Sequence, residues 1–264
     1  MTTVVIKYGG HAMDRADLSE RFADDLAFFA ARGARLVVVH GGGPQITSLL
    51  TRLGIESRFV DGLRVTDAPT MEAVEMALAG QINKAVVSAL ARKNVRAVGV
   101  SGRDGRLLVA EVKNAALGRV GDVTAVDTSM LDCLLDAGFV PIVAPIASST
   151  DNEALNVNAD TAAGAIAGAL RADFFVLISD VPGVLDAEGE LIPALDRKMI
   201  AKLRQEGVIN GGMIPKTRAC LNALDCGCAR ALILDGRAPS SLKRYLLDNE
   251  PLGTVIKSDM RSCV

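Results

Sequence analysis

The chain has 264 residues, 50% of them apolar and 23% charged, with 29 basic against 31 acidic residues for a net charge of −2. This balance excludes a disordered chain and a polycationic surface for nucleic acid or membrane, and no apolar run approaches the roughly 18 residues of a spanning helix. Aromatics make up only 3% and Trp is absent, so the core must be Val, Ile, Leu and Ala, which suits a buried sheet covered by Ala-rich helices.

In chain order, Val4–Tyr8 ("VVIKY") reads as a buried strand that stops at Gly9-Gly10. Leu18–Ala31 has helical periodicity through Leu18, Phe22, Leu26 and Phe29, with Gly33 past its end as a C-terminal cap. Leu36–His40 is a second buried strand, closed by Gly41-Gly42-Gly43, and Pro44 fits the first turn of a helix over Gln45–Leu53. Arg58–Thr66 predicts a β-hairpin around Asp61-Gly62, and Met71, Val74, Leu78, Ile82, Val86 and Leu90 predict a long helix over Pro69–Lys93. Ala97–Val100 is a short strand, and "GRDGRLLVAEVKN" predicts a second Asp-Gly hairpin. Helix Met130–Ala137, strand Val140–Ala144, helix Ala159–Leu170 and strand Phe174–Ile178 follow. Beyond a turn-rich stretch from Asp180 to Leu191 come helices Asp196–Gln205 and Met213–Leu224, strand Ala231–Leu234, helix Ser241–Leu247 and a final strand at Val255-Ile256.

Strands alternating with helices predict the α/β class, a three-layer αβα sandwich on a mostly parallel sheet. A composition change near residue 175, without a Pro/Ser-rich linker, predicts two lobes sharing one continuous sheet. The N-terminus shows no basic segment followed by a long apolar run, so a cytoplasmic location is expected. The five cysteines are Cys133, Cys220, Cys226, Cys228 and Cys263. They argue against a disulfide scaffold, and Cys226-Gly-Cys228 reads better as free thiols than as a zinc knuckle, because His11 and His40 are the only histidines.

In an open α/β sheet, ligands bind beyond the carboxyl ends of the strands, where both glycine clusters fall. Backbone N–H groups there, followed by a helix N-terminus, make an anion site. The familiar nucleotide signatures G-x-x-x-x-G-K-[ST], H-R-D and D-F-G are missing, as is G-x-G-x-x-G at these clusters. Isolated charges are the remaining clues. Lys7 interrupts an apolar strand, so it either reaches an anion or marks an edge strand. Lys216 in "GGMIPK" reads, alone, as a solvated lysine in a first helical turn. Arg64 in "DGLRVT" has the chemistry to clamp a carboxylate. Asp160 in "LNVNAD" reads as a helix N-cap, and Asn156 and Asn158 as turn residues satisfying backbone. Spacing alone does not join Lys7, Asp160 and Lys216.

The ordered segments "KYGGHAM", "VVVHGGGPQI", "DGLRVTD", "LNVNADTAAGAIA", "LISDVPGVL", "GGMIPK" and "LILDGR" resemble the amino acid kinase family, and within it the acetylglutamate kinases, over nearly the whole chain. The resemblance implies transfer of phosphate from ATP to the side-chain carboxylate of N-acetyl-L-glutamate, the second step of arginine biosynthesis. It implies that residues 1–172 bind the amino acid and carry dimerisation, and that residues 173–264 bind ATP. It further implies that Lys7 and Lys216 stabilise the transition state and that Asp160 orients both. Gly9, Gly10, Gly42 and Gly43 would donate to phosphate and substrate, and Arg64, Asn156 and Asn158 would hold the amino acid. The nucleotide would take Ser179, Asp180, Val181, Pro182, Gly183, Val184 and Leu185, with Val208, Ile209 and Asn210 flanking the adenine. Mg²⁺ is expected on the nucleotide phosphates rather than on dedicated protein ligands.

Arginine-inhibited members of that family carry an N-terminal helix ahead of the first strand, where this chain starts its strand by about Thr3. A homodimer paired through Pro69–Lys93 is therefore expected, rather than a hexamer, with weak or no arginine inhibition. "DNEPLGTVI" still resembles the arginine-sensitive branch, whereas Ser240 stands where that branch has a histidine. The alternatives are a kinase for a related N-acylated amino acid and a catalytically silent amino-acid or nucleotide sensor.

Overall fold

The computed structural model describes residues 1–9 and 16–257; Gly10, His11 and Cys263 lie outside the described residues. Eight strands form the central sheet: β1 (Thr3–Tyr8), β2 (Arg35–His40), β5 (Ala97–Ser101), β8 (Val140–Ala144), β11 (Phe174–Ser179), β12 (Ala194–Leu195), β13 (Ala231–Asp235) and β14 (Thr254–Ile256). Their spatial order is β12-β14-β13-β11-β1-β2-β8-β5. Every neighbouring pair is parallel except β13 and β14. The sheet thus joins strands from both sides of residue 175. β1 lies inside it between β2 and β11, which rules out the edge-strand explanation of Lys7.

The period-two alternation of a strand assigns each side chain to a layer. Val4, Ile6, Leu36, Val38 and Val176 face α1 (Ala16–Ala30) and α4 (Asn83–Ala91), through Leu26, Val86 and Leu90. Val5, Val37, Val39, Phe175 and Leu177 face α6 (Ala159–Ala169) and α8 (Met213–Asp225), through Ala162, Ile166, Ala219 and Ala223. Lys7 has the parity of Val5, so its side chain leaves the sheet on the α6–α8 side.

The Gly41–Gly43 turn leads into α2 (Gly43–Leu53), with Pro44 in the first turn. Strands β3 (Phe59–Val60) and β4 (Leu63–Arg64) form the expected hairpin. Asp61 and Gly62 both have positive φ, 49° and 76°, the conformation a two-residue hairpin turn demands. The long helix is α3 (Ala68–Glu75), which passes through a π-helical stretch, Met76–Ile82, into α4.

Four strands, β6 (Leu108–Val112), β7 (Val120–Val126), β9 (Ile146–Ser148) and β10 (Ala154–Val157), close into a second small sheet. The Asp-Gly hairpin expected at Gly102–Asn114 does not form. The Asp104 carboxylate accepts from the Ser101 N–H at 2.6 Å and its hydroxyl at 3.0 Å, and residues 104–106 make a tight turn with Gly105 and Arg106 at positive φ, 58° and 55°. That turn carries the chain from the central sheet into the small one, where β6 pairs with β7, and Leu107 and Leu108 become fully buried. The remaining helices are α5 (Ser129–Asp136), α7 (Arg197–Gln205) and α9 (Ser241–Asp248). Among the described residues no helix is long and apolar enough to cross a membrane.

Helices α6 and α8 touch through small residues: a β-carbon on Gly164 would lie 2.7 Å from the Ala219 carbonyl oxygen, and one on Gly168 would run into the Cys226 side chain. A Gly164→Ala variant must push the two helices apart, and we expect it to cost about 1–3 kcal/mol. Urea denaturation midpoints of the two proteins measure this; equal midpoints would mean the helices can separate freely.

Candidate active site

Three charged side chains meet at the carboxyl end of β1. Asn158 caps α6: its Oδ1 accepts from the N–H groups of Asp160 at 3.0 Å and Thr161 at 3.1 Å. The cap is therefore Asn158 and not Asp160, which corrects the sequence expectation and leaves the Asp160 carboxylate free to turn toward the sheet. One of its oxygens lies 3.1 Å from Lys7 Nζ, and the other accepts from Lys216 Nζ, in the first turn of α8, at 3.0 Å. All three side chains are largely buried, 10%, 6% and 17% exposed for Lys7, Asp160 and Lys216. Burial by itself would raise the Asp160 pKa; the ammonium groups of Lys7 and Lys216 reverse this and hold it below the ordinary carboxylate range. With one negative and two positive groups, the cluster carries an excess of one positive charge in a shielded place.

Gly9 lies against this cluster. A β-carbon on Gly9 would stand 2.9 Å from Lys7 Nζ, and the Gly41 N–H donates to the Tyr8 carbonyl at 2.8 Å, so Gly9 and the Gly41–Gly43 turn lie together. Gly42 packs flat on Leu78 and Ile82 of the π-helical stretch, leaving no room for a side chain. Gly43 opens α2 toward free space, where a β-carbon would meet nothing within 4 Å.

Arg64 is 7% exposed. Its guanidinium donates to the Gly43 carbonyl at 3.1 Å, to Thr47 Oγ1 at 2.9 Å and to Ser57 Oγ, with Phe59 stacked beside it. Burial lowers its pKa, yet a guanidinium stays charged near neutral pH. Asn156 donates to Thr66 Oγ1 at 3.2 Å, and Thr66 donates to the Arg64 carbonyl at 2.8 Å. Arg64 and Asn156 are thus tied to the glycine turn through side chains, Thr47, Ser57 and Thr66, that carried no signal in the sequence.

On the other side, Lys7 of β1 is in register with Leu177 of β11, so Ser179 and Asp180 continue at the same edge of the sheet. The loop they begin is fixed by Thr254, whose hydroxyl accepts from the Val184 N–H at 2.8 Å and donates to the Ile192 carbonyl at 2.7 Å. Gly183, Val184 and Ile209 are buried, whereas Asp180, Pro182 and Asn210 are exposed and Val181, Leu185 and Val208 intermediate. The side chains of Val184 and Ile209 belong to the core beneath, so they can offer a ligand only backbone.

His40 is fully buried between β1 and β8. Its Nδ1 lies 2.9 Å from the Gly41 carbonyl and its Nε2 3.3 Å from the Asn83 amide nitrogen. Burial pulls its pKa down from 6.5 to about 4, the Lys84 ammonium adding to the effect against the Gly41 hydrogen bond. Of the thiols, Cys220 and Cys228 are buried and Cys133 and Cys226 exposed, all free. Among the described residues no three His, Cys, Asp or Glu side chains gather as a metal site.

The sequence profile of the amino acid kinase family matches residues 2–235. The chain is 46% identical to an acetylglutamate kinase of Novosphingobium aromaticivorans, over 97% of this chain and 90% of that one. It is 47% identical to an acetylglutamate kinase of Desulforamulus reducens, over 97% of this chain and 92% of the other. Among solved structures, smu.665 from Streptococcus mutans superposes with a TM-score of 0.82 at 29% identity, covering 97% of this chain and 99% of that one.

The buried imidazole makes stability depend on pH. In the unfolded chain His40 takes a proton as pH falls below 6.5, and in the fold only near 4. Between those values the unfolded state binds more protons, so stability must fall with pH, by a total on the order of 3 kcal/mol. A His40→Asn variant lacks this component. Its urea midpoint should drop less than that of the wild type between pH 7.5 and pH 4.5, and parallel drops would show that His40 is not the titrating group.

Proposed function

The chain belongs to the amino acid kinase family, and we propose that it phosphorylates the side-chain carboxylate of N-acetyl-L-glutamate with ATP, giving ADP and N-acetyl-L-glutamyl 5-phosphate in arginine biosynthesis. It is an ATP-dependent phosphotransferase with a carboxyl group as acceptor. The observation that carries the substrate is the joint one. Two lysines converge on one buried aspartate beside Gly9, in a chain that matches acetylglutamate kinases at 46–47% identity along nearly its whole length.

A carboxylate nucleophile is already ionised at neutral pH, with a pKa near ~4.3. It needs no base; the obstacle is the approach of one anion to another. Phosphoryl transfer is catalysed chiefly by position and by charge stabilisation. In this reading Lys7 and Lys216 bracket the transferring group, and Asp160 holds their ammonium groups apart and aimed. The N–H groups of Gly9, Gly10, Gly42 and Gly43 supply further donors. Arg64 pairs with the α-carboxylate of the substrate, and Asn156 and Asn158 line that side. The stretches Ser179–Leu185 and Val208–Asn210 receive the nucleotide. Residues 1–172 then act on the amino acid and 173–264 on ATP. Mg²⁺ would come as part of the nucleotide substrate, since Asp160, the carboxylate at the centre among the described residues, is already committed to two lysines. We also infer a cytoplasmic homodimer joined along the α3–α4 helix, on which Met76 stands 58% exposed.

The test is ADP release from MgATP with N-acetyl-L-glutamate, with hydroxylamine trapping the acyl phosphate. Trapped hydroxamate with N-acetyl-L-glutamate but not glutamate supports the assignment. Turnover only with other N-acyl amino acids would shift the substrate, and binding without turnover would indicate a sensor. Lys216→Ala should lower kcat by about a hundredfold or more. Arg64→Ala should instead raise KM for the amino acid with a smaller change in kcat; an unchanged KM removes Arg64 from the site.

A further inference from the structure

The strongest remaining feature is a polar chain beneath the glycine turn, buried at His40 and Asn83 and open to solvent at Lys84. Every member of it has its donor and acceptor roles forced by a neighbour that can play only one part. Lys84 Nζ, a donor only, lies 3.1 Å from Asn83 Oδ1 and 3.1 Å from the Gly99 carbonyl. Asn83 Nδ2 lies 2.8 Å from the Ile142 carbonyl and 3.2 Å from the Val100 carbonyl, both acceptors only. These three partners fix the orientation of the Asn83 amide. Its NH₂ group, whose two hydrogens are shared among three neighbours, also faces His40 Nε2 at 3.3 Å, and a nitrogen facing that donor group must be an acceptor. The ring hydrogen is therefore on Nδ1, which donates to the Gly41 carbonyl at 2.9 Å. The opposite tautomer would set donor against donor at Asn83 and acceptor against acceptor at Gly41.

The consequence falls on the next peptide. The Gly41 N–H is already held by the Tyr8 carbonyl at 2.8 Å, and the Gly41 carbonyl by the imidazole. No described peptide bond is cis, and in a trans peptide the N–H points away from the preceding carbonyl. The Gly42 N–H is thus turned away from His40. Leu78 and Ile82 close off one face of Gly42, and the π-helical stretch that carries them ends where Asn83 begins. One local irregularity of the helix, a form often found at functional sites, supplies both the floor under Gly42 and the amide that sets the imidazole.

We propose that His40 and Asn83 are positioning residues: Asn83 holds the imidazole as the Nδ1–H tautomer, and the imidazole fixes the Gly41 carbonyl so that the Gly42 N–H is aimed at the transferring phosphoryl group. The proposal rests on the kinase reading above for the role of Gly42. The positioning itself does not depend on the reaction.

Two measurements on the full chain decide it. With only His11 and His40 in the chain, a long-range ¹H–¹⁵N spectrum of the imidazoles is assigned by one His11→Gln variant. His40 should show the Nδ1–H pattern throughout pH 6–8; an Nε2–H pattern or a mixture overturns the proposal. The second measurement compares His40→Asn, which keeps a donor nitrogen on the same carbon as Nδ1, with His40→Gln, whose amide reaches toward the Nε2 position. The Gln variant should lose kcat by about tenfold or more, short of the roughly hundred- to thousandfold of a donor removed outright because the Gly42 N–H is misaimed and not deleted, with KM for N-acetyl-L-glutamate within about twofold. The Asn variant should recover most of that loss. Equal activities of the two variants would overturn the proposal. If neither folds, the tautomer spectrum alone decides. An inactive wild type would reject the kinase reading and the role of Gly42 with it, while the tautomer would still be read.

Discussion

Two ammonium groups buried against a single carboxylate are the constraint around which this molecule is arranged. A lone buried charge costs several kcal/mol, and a buried pair is tolerated only with close geometry. Here the charges do not cancel: Asp160 is shared by Lys7 and Lys216 at 3.1 and 3.0 Å. The surplus positive charge is a standing cost in the free protein and an attraction for an anion, so stability is given up where binding is gained. The architecture supplies the tolerances. Lys7 comes from the innermost region of the sheet, Asp160 from the first turn of α6 and Lys216 from the first turn of α8. The two helices are held at close range because Gly164 and Gly168 allow their backbones to meet.

The same logic explains where the chain is irregular. The hairpin turn with positive φ at Asp61 and Gly62 brings Arg64 back over the Gly43 carbonyl, and Thr66 links it to Asn156. The π-helical stretch shifts the face of a long helix so that Leu78 and Ile82 lie under Gly42 while Asn83 reaches His40. A straight α-helix with the periodicity seen in the sequence would bury the same apolar residues without placing the amide.

Much of the fold was legible because a strand buried on both faces and an amphipathic helix leave clear patterns, and because Lys7 is conspicuous in an apolar run. The small sheet was not. Gly121 and Asp122 interrupt the apolar pattern of β7, β9 and β10 are three and four residues long, and Asp104-Gly105 has the look of a hairpin turn while serving as a bridge between sheets. The meeting of Asp160 with Lys216 was visible only through family resemblance, since fifty-six positions separate them. The parity of β1 decides which face Lys7 takes, but nothing local tells which helices cover that face. Asn158 and Asp160 were ambiguous as caps for a related reason: both are cap formers, and only the cap geometry shows which one remains free. Thr47, Ser57 and Asn83 left no signal at all, being ordinary polar residues whose partners are backbone carbonyls or distant side chains.

The site's chemistry follows from what its residues have been spent on. His40 is neutral, buried and hydrogen-bonded at both ring nitrogens, so it has no lone pair to offer a substrate. Asp160 is buried, held below the ordinary carboxylate range and bound to two lysines, which makes it a weak base. An acceptor hydroxyl would need a group to take its proton, and neither of these can do so. An acceptor carboxylate brings its negative charge with it and needs only cationic and N–H groups to offset the repulsion. Among the described residues the arrangement therefore favours an acceptor that arrives already ionised: it is built to relieve charge rather than to move protons. In the proposed reaction Arg64, a third largely buried cation, bonded to the Gly43 carbonyl, would extend the same preference to a substrate that carries a carboxylate at both ends.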